Sequence, residues 1–247
     1  MARYLDSMRQ VGSLVFWGFV VLSSAILFPV AVIIWAVTAP FDERRRALHL
    51  FTCFWASLYT WLNPAWRVTI HGREHIDRDA TYVYVANHLS LLDILVLFRL
   101  FTDFKWVSKA EIFKVPGVGW NMTLNRYIPL VRGNRDSVVK MMQQCREALA
   151  RGSSLMLFPE GTRSATGELK AFKSGAFELA VEAQVPIVPI AIQGTNDALP
   201  KHGFVLRGRH HITVTVLTPF EPGTSIESAM QEARSRIAAV TGQSDPV

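Results

Sequence analysis

The chain has 247 residues, half of them hydrophobic and 19% charged, with a mean hydropathy of +0.21. That balance lies between an ordinary soluble domain and an integral membrane protein, and it excludes both a disordered chain and a polytopic transporter. The net charge of +6 is unevenly spread: Lys105 to Lys173 holds twelve Lys/Arg against five Asp/Glu, which implies an acidic partner such as nucleic acid, anionic lipid or a phosphorylated substrate.

From the N-terminus, Val11 to Phe41 is a run of 31 residues without Asp, Glu, Lys, Arg or His. A secretory signal has an apolar core of only about 7–15 residues, whereas crossing hydrocarbon takes about 20, so membrane insertion is the leading reading. Pro29 lies inside the run and predicts a kink or a break there. After the charged connector Asp42 to Arg46 comes a second apolar stretch, Ala47 to Trp66. Its Leu48, Phe51, Trp55, Leu58 and Leu62 recur at steps of three and four, with His49, Cys53, Thr60 and Asn63 on another face. With Phe51, Phe54, Trp55, Tyr59, Trp61 and Trp66 it reads as an interfacial helix whose aromatics settle at headgroup level. A spanning helix plus a surface helix, or a hairpin dipping into one leaflet, both satisfy the pattern, and a buried hairpin of a soluble core is the bland alternative. Residues 1–66 are therefore read as a membrane-associated helical segment and 67–247 as a catalytic domain.

Beyond Arg67, short β-like runs alternate with helical ones. The expected strands are Val68–His71, Tyr82–Ala86, Phe104–Val107, Tyr127–Val131, Ser154–Phe158, Ile187–Ile192 and His211–Leu217. The expected helices are Leu91–Phe101, Ala110–Phe113 with its continuation, Ser137–Ala150, Gly175–Ala183 and Ile226–Val240. Such alternation predicts an α/β fold with a mixed, mainly parallel sheet covered by helices. Cys53 and Cys145 are too few for a disulfide framework or a four-ligand zinc site, and no metal is expected.

Three segments carry chemistry. In Ala86-Asn87-His88-Leu89-Ser90-Leu91-Leu92-Asp93 a strand runs into a turn and then a helix, which brings the Asp93 carboxylate within reach of His88. A carboxylate that fixes the tautomer and stabilises the imidazolium makes His88 a general base for a hydroxyl attacking a carbonyl. Alone the pattern is weak, since a His-x4-Asp pair arises by chance in roughly one chain in four of this composition. In Phe158-Pro159-Glu160-Gly161-Thr162-Arg163-Ser164 a tight loop follows an apolar strand, at the sheet edge where α/β proteins bind ligands. Arg163 offers a planar fork for phosphate and Gly161 permits close backbone approach. In the third segment, Val107 to Gly117 and Ile128 to Arg135, cations lie beside apolar residues, which suits a ligand with a charged head and a greasy tail.

His-x4-Asp, Ile128-Pro129-Leu130-Val131-Arg132, Phe158 to Ser164 and Val185-Pro186-Ile187-Val188-Pro189 stand in the order of four blocks of the glycerolipid acyltransferase family. The chain resembles that family over about residues 68 to 220, most nearly the bacterial 1-acyl-sn-glycerol-3-phosphate acyltransferases. A six-residue string such as Phe158 to Arg163 arises by chance about once in 10^5 chains of this length, so the set is far more specific than its parts. The resemblance implies that His88 is the base and Asp93 its partner. It implies that Glu160, Gly161 and Thr162 belong to the substrate loop, that Lys109, Arg163 and Arg132 face the acceptor phosphate, and that Val185 to Pro189 borders the acyl site. Leu89, Leu91 and Leu92 fill motif positions that are often more polar in phosphatidate-forming members, which leaves the acceptor open.

The expected reaction is acyl transfer from acyl-CoA or acyl carrier protein to the free hydroxyl of a lysophospholipid. An acyl thioester is already activated, so no cofactor, metal or covalent intermediate is required. The Gly161 region is the candidate source of oxyanion donors. Membrane lipid is an expected partner and nucleic acid is not, because the aromatics lie in apolar runs rather than among the basic residues. Other readings are a lyso-ornithine-lipid acyltransferase, a non-catalytic lipid-binding module, or a serine hydrolase, the last disfavoured by the lack of a Gly-x-Ser-x-Gly elbow. The expected location is the inner membrane, with the catalytic part facing the cytoplasm.

Overall fold

Val83, Tyr84, Val85 and Ala86 are all fully buried, so this strand is covered on both faces and the sheet around it must be sandwiched by helices. The computed structural model describes residues 2–201 and 203–243, with side chains from residue 7 onward. Helices α1 (Ala2–Thr38) and α2 (Arg46–Trp61) open the chain. Then come β1 (Trp66–His71), β2 (Val83–Ala86), α3 (Leu92–Phe98), β3 (Lys105–Lys109), α4 (Val118–Leu124) and β4 (Ile128–Leu130). They are followed by α5 (Arg135–Ala150), β5 (Leu155–Leu157), α6 (Gly175–Ala183), β6 (Ile187–Gln193), α7 (Thr195–Ala198), β7 (His210–Val216) and α8 (Ile226–Thr241).

The seven strands form one sheet in the order β1-β7-β6-β2-β5-β3-β4. Every pairing is parallel except β6 with β7, so the sheet is mixed and mainly parallel, as the alternation of elements predicts. Successive side chains point to opposite faces. Tyr84, Ala86, Met156, Val188 and Ile190 join the core shared with α1, α2 and α3, while Val83, Val85, Leu155, Ile187 and Ala191 join the core beneath α5, α6 and α8. Side-chain caps start the two amphipathic helices on that second face: Asn134 accepts the Ser137 N–H at 2.8 Å and Ser225 the Ser228 N–H at 3.2 Å.

The hairpin differs from its sequence reading in two respects. Of the kink or break expected at Pro29 the break is absent, helix α1 being continuous from Ala2 to Thr38. And α2 is not a surface helix: Leu48, Cys53, Trp55, Ala56 and Tyr59 enter the first core, and the polar positions turn inward as well. His49 is fully buried, 2.8 Å from the Tyr127 hydroxyl through Nδ1 and 2.9 Å from the Thr102 carbonyl through Nε2. Burial lowers its pKa to about 3, so it is a neutral hydrogen-bonding post. A polar stripe whose groups find buried partners belongs to the interior, and periodicity alone does not distinguish that stripe from a wetted face. Phe54 and Trp61 keep substantial exposure.

The outward face of α1 is the apolar surface that remains. Met8, Val11, Leu14, Val15, Val21, Leu22, Ile26, Ile33 and Val37 are exposed along it. Its opposite face docks on the protein: Phe16 and Phe19 edge onto Tyr59, Ser24 touches Gly117, and Phe28 meets Trp120. At its C-terminal end the connector is fastened beside the N-terminal edge of the strands, where Lys105 Nζ donates to the Arg44 carbonyl and Arg44 Nη1 to the Gly152 carbonyl at 2.7 Å. Helix α1 therefore begins at the C-terminal edge of the parallel strands and ends at the other.

Candidate active site

Strand β2 lies between β6 and β5, and the chain leaves it in one direction toward β3 while α6 carries the chain from β5 to β6 on the other side. The crevice outside the carboxyl ends of β2 and β5 is thus a point where the connections diverge, the usual ligand position in an open α/β sheet. The His88 turn and the Phe158–Ser164 loop meet there.

His88 Nδ1 is 2.8 Å from Asp93 Oδ2. The same oxygen accepts the Leu89 N–H at 2.6 Å and the Ser90 N–H at 2.8 Å, while Oδ1 accepts the Thr195 hydroxyl at 2.5 Å. Four donors thus converge on one fully buried carboxylate. Nδ1 therefore carries its proton toward Asp93, and Nε2 presents a lone pair. The imidazole is 9% exposed and stacks on Phe158 at 3.8 Å and 9°, and Trp106 stacks behind Phe158. The ring is held between a carboxylate and an aromatic wall.

The backbone of His88 is held equally firmly. Its N–H donates to Glu160 Oε1 at 2.7 Å, and its carbonyl accepts the Ser164 N–H at 2.7 Å. The other Glu160 oxygen accepts the Lys170 N–H at 3.1 Å. Glu160 is 3% exposed, and both of its oxygens are engaged by main chain, so it fastens the loop to the base instead of facing substrate. Burial pushes its carboxyl up to about 7 against the pull of these two N–H bonds. Asn87 prolongs the sheet by one rung, taking the Ile192 N–H at 2.7 Å and donating to the Ile192 carbonyl at 2.9 Å.

Gly161 adopts φ +70°, the left-handed turn that a side chain disfavours, with Lys173 Cε and Nζ about where a Cβ would press. Its own N–H is spent on the Phe158 carbonyl at 3.0 Å, so an oxyanion donor from this region would have to be another N–H of the loop. Thr162 and Arg163 are half-buried between Gly161 and the Ser164 contact, which keeps Arg163 beside His88. Lys109 ends β3 and is exposed, paired with Glu111 at 3.2 Å; Arg132 is exposed just after β4. Both stand on the same edge of the sheet as His88, but their strands lie two and three places from β2, about 10 and 14 Å at the usual strand spacing. Neither hydrogen-bonds to the His88 loop. Val185 and Pro186 precede β6, at the edge opposite His88, and Ile187 to Pro189 lie in its buried interior. That block packs beneath the site and does not border it, because parallel pairing of Val83 with Ile187 places its start where β2 begins.

Sequence reasoning missed Thr195, Asn87, Ser90 and Phe158 as functional neighbours. Asn87, Ser90 and Phe158 sit inside or beside the motifs, so proximity alone would have flagged them. Thr195 is 102 positions from Asp93, and no local signal points to it. Gly194 sets its position at φ +82°, where a Cβ would lie 2.2 Å from the His211 carbonyl oxygen.

Residues 67–193 match the family model described as Acyltransferase. A 1-acyl-sn-glycerol-3-phosphate acyltransferase of Chlamydomonas reinhardtii is 36% identical over 94% of this chain and 70% of its own length. A chloroplastic 1-acyl-sn-glycerol-3-phosphate acyltransferase of Arabidopsis thaliana is 38% identical over 80% of this chain, which spans about half (55%) of that protein. The crystal structure of the 1-acyl-sn-glycerophosphate acyltransferase from Thermotoga maritima superposes with a TM-score of 0.73 over 96% of this chain and 100% of that one, at 21% identity, which shows a common fold.

Proposed function

The chain belongs to the acyltransferase family, and from that premise we propose that it transfers a fatty acyl group from an acyl thioester to the free hydroxyl of 1-acyl-sn-glycerol 3-phosphate, forming phosphatidic acid. The observation that carries the reading is the fixed His88–Asp93 pair with Nε2 left free. The acceptor hydroxyl attacks the thioester carbonyl as Nε2 takes its proton; the tetrahedral oxyanion then collapses, the C–S bond breaks, and the imidazolium returns the proton to the leaving thiolate. The donor is acyl-CoA or acyl carrier protein, and since the thioester carbonyl is already activated the chemistry calls on no cofactor. Arg163, beside His88, is the cation best placed for the acceptor phosphate.

An acceptor with a long acyl chain resides in a bilayer, and α1 is long and apolar enough to cross one. Because α1 docks on the protein from Ser13 to Trp35, we infer that it lies with its apolar face in one leaflet and brings the His88 edge to the headgroups. We propose the cytoplasmic face for the catalytic part, since both candidate donors, acyl-CoA and acyl carrier protein, are soluble thioesters that must reach it from the aqueous side. The test is thiol release from acyl-CoA and from acyl carrier protein across a panel of lyso-acceptors. Release that depends on 1-acyl-glycerol 3-phosphate and yields phosphatidic acid supports the reading, and release independent of any acceptor refutes it.

A further inference from the structure

At the His88 edge of the sheet, the segment between α7 and β7 returns to the first turns of α1. The Leu206 N–H donates to Ser13 Oγ at 2.8 Å, Trp17 Nε1 to the Phe204 carbonyl at 2.8 Å, and the Trp17 and Phe204 rings meet edge to face at 5.8 Å. Between them opens a cavity of about 800 Å³ lined by Arg9, Arg207, Arg209, His210 and Asp197, with Val205 at its rim. Among the described residues that line it, Arg207 and Arg209 bring two guanidinium groups and Asp197 the one carboxylate. Phe204 is 73% exposed beside this mouth and Val205 42%, and Met8, Val11, Leu14 and Val15 continue the same apolar surface along α1. A smaller cavity of about 310 Å³, bordered by Ala165, Lys201 and Arg207, lies between the first cavity and the catalytic loop. None of the residues lining the basic cavity is among those that hold His88.

We propose that this basic cavity is a binding site for the phosphate-bearing headgroup of an anionic bilayer phospholipid, distinct from the acceptor site, with the lipid's chains lying along the exposed face of α1. The inference rests on the membrane-seated reading of α1 given above. Guanidinium forks match phosphate oxygens, and an aromatic and aliphatic rim beside them is the composition of an interface that is half headgroup and half hydrocarbon. The occupant is a membrane lipid and not free phosphate, because Val205 lines the basic cavity and its neighbour Phe204, exposed, packs on Trp17 of the apolar helix α1.

The test uses the full chain with Arg207 and Arg209 both changed to glutamine. Flotation is measured with vesicles of phosphatidylcholine alone and of phosphatidylcholine containing phosphatidylglycerol. Each basic residue near an anionic surface is worth a factor of about five, so the double variant should lose on the order of 25-fold in its preference for the anionic vesicles. Arg207→Lys with Arg209→Lys should recover only part of that preference, more than the glutamine pair and less than the wild type, because a point charge restores the charge without the fork, and the single Arg209→Gln change should lose about fivefold. With a short-chain, water-soluble acceptor and no vesicles, kcat and KM of the glutamine variant should match the wild type within twofold. An unchanged preference for anionic vesicles overturns the proposal. So does a KM for the soluble acceptor that rises as far as vesicle affinity falls, since the cavity would then be part of the acceptor site, and so does displacement from vesicles by millimolar inorganic phosphate. Loss of soluble-acceptor turnover in the wild type would instead defeat the transferase reading and leave the vesicle result standing.

Discussion

Glu160→Gln separates a residue that meets the acceptor from one that holds the base. The wild-type carboxylate accepts two buried backbone N–H groups, from His88 at 2.7 Å and Lys170 at 3.1 Å. A carboxamide accepts one and turns an NH2 toward the other, leaving a buried donor unpaired at about 1–3 kcal/mol. Against this stands the wild type's own titration. Its carboxyl is raised from 4.5 to about 7. Between those values the folded state keeps a proton that the unfolded chain has released, so folding stability is present below pH 4.5 and falls as pH rises to 7. At about 1.4 kcal/mol per pH unit the loss reaches up to about 3 kcal/mol. Glutamine does not titrate and carries no such slope. In detergent, thermal unfolding at pH 5 should therefore show the variant less stable by a few degrees, and at pH 8 the gap should close or reverse. Loosening the His88 main chain should lower kcat by about 10–100-fold, with the acceptor KM unchanged within twofold. An equal stability gap at pH 5 and pH 8, or a raised KM with full kcat, would refute the reasoning.

His88→Ala should cost about 10²–10⁴-fold in turnover with the protein still folded and vesicle-bound, and Asp93→Asn should be similarly impaired because Nδ1 would face a carboxamide able to favour the wrong tautomer; thiol release measures both. Arg163→Ala should raise the acceptor KM and spare acceptor-independent thioester hydrolysis, with Arg163→Lys recovering only part, since a point charge does not reproduce the fork. Thr195→Val should cut kcat while Thr195→Ser restores it, and the acidic limb of the pH–rate profile should move in the valine variant, a shift that mere loss of packing would not produce. Deleting residues 1–66 should give an aggregating product: Leu48, Trp55 and Tyr59 alone remove roughly 5–9 kcal/mol of burial at about 1.5–3 kcal/mol each, from a total stability of about 5–15 kcal/mol. A monomeric, cooperatively melting fragment in size-exclusion and circular-dichroism measurements would contradict that role for α2.

The centre of the sheet was legible because β2 and β6 are apolar on both faces, so that Val83–Ala86 and Ile187–Ile192 have no other place to go, whereas β1 and β7 show only the alternation of a strand with one covered face. The His88–Asp93 pair was legible because both members lie within one turn. The readings that failed are those settled by tertiary partners. Nothing in the sequence around Glu160 distinguishes a carboxylate aimed at substrate from one aimed at the His88 amide. For α2, the order of His49, Cys53 and Thr60 is that of a wet face, and only Tyr127 and Thr102, far along the chain, make it a dry one.

The aromatic wall explains how such a site favours a lipid alcohol over water. An acyl thioester beside a competent base is open to hydrolysis by any water that reaches Nε2, and the intended nucleophile is far scarcer. His88 is 9% exposed and lies flat on Phe158, which Trp106 backs, so one face of the imidazole is closed to solvent while Nδ1 is closed by Asp93. Nε2 is the ring atom left without a protein partner, on the same edge of the sheet where the Phe204 segment meets α1. On the proposed seating of α1, a bilayer against that edge would exclude water and present a lipid alcohol, and the lower local dielectric would strengthen the Asp93–imidazolium attraction as the proton moves. The expected consequence is that transfer outpaces hydrolysis of the thioester.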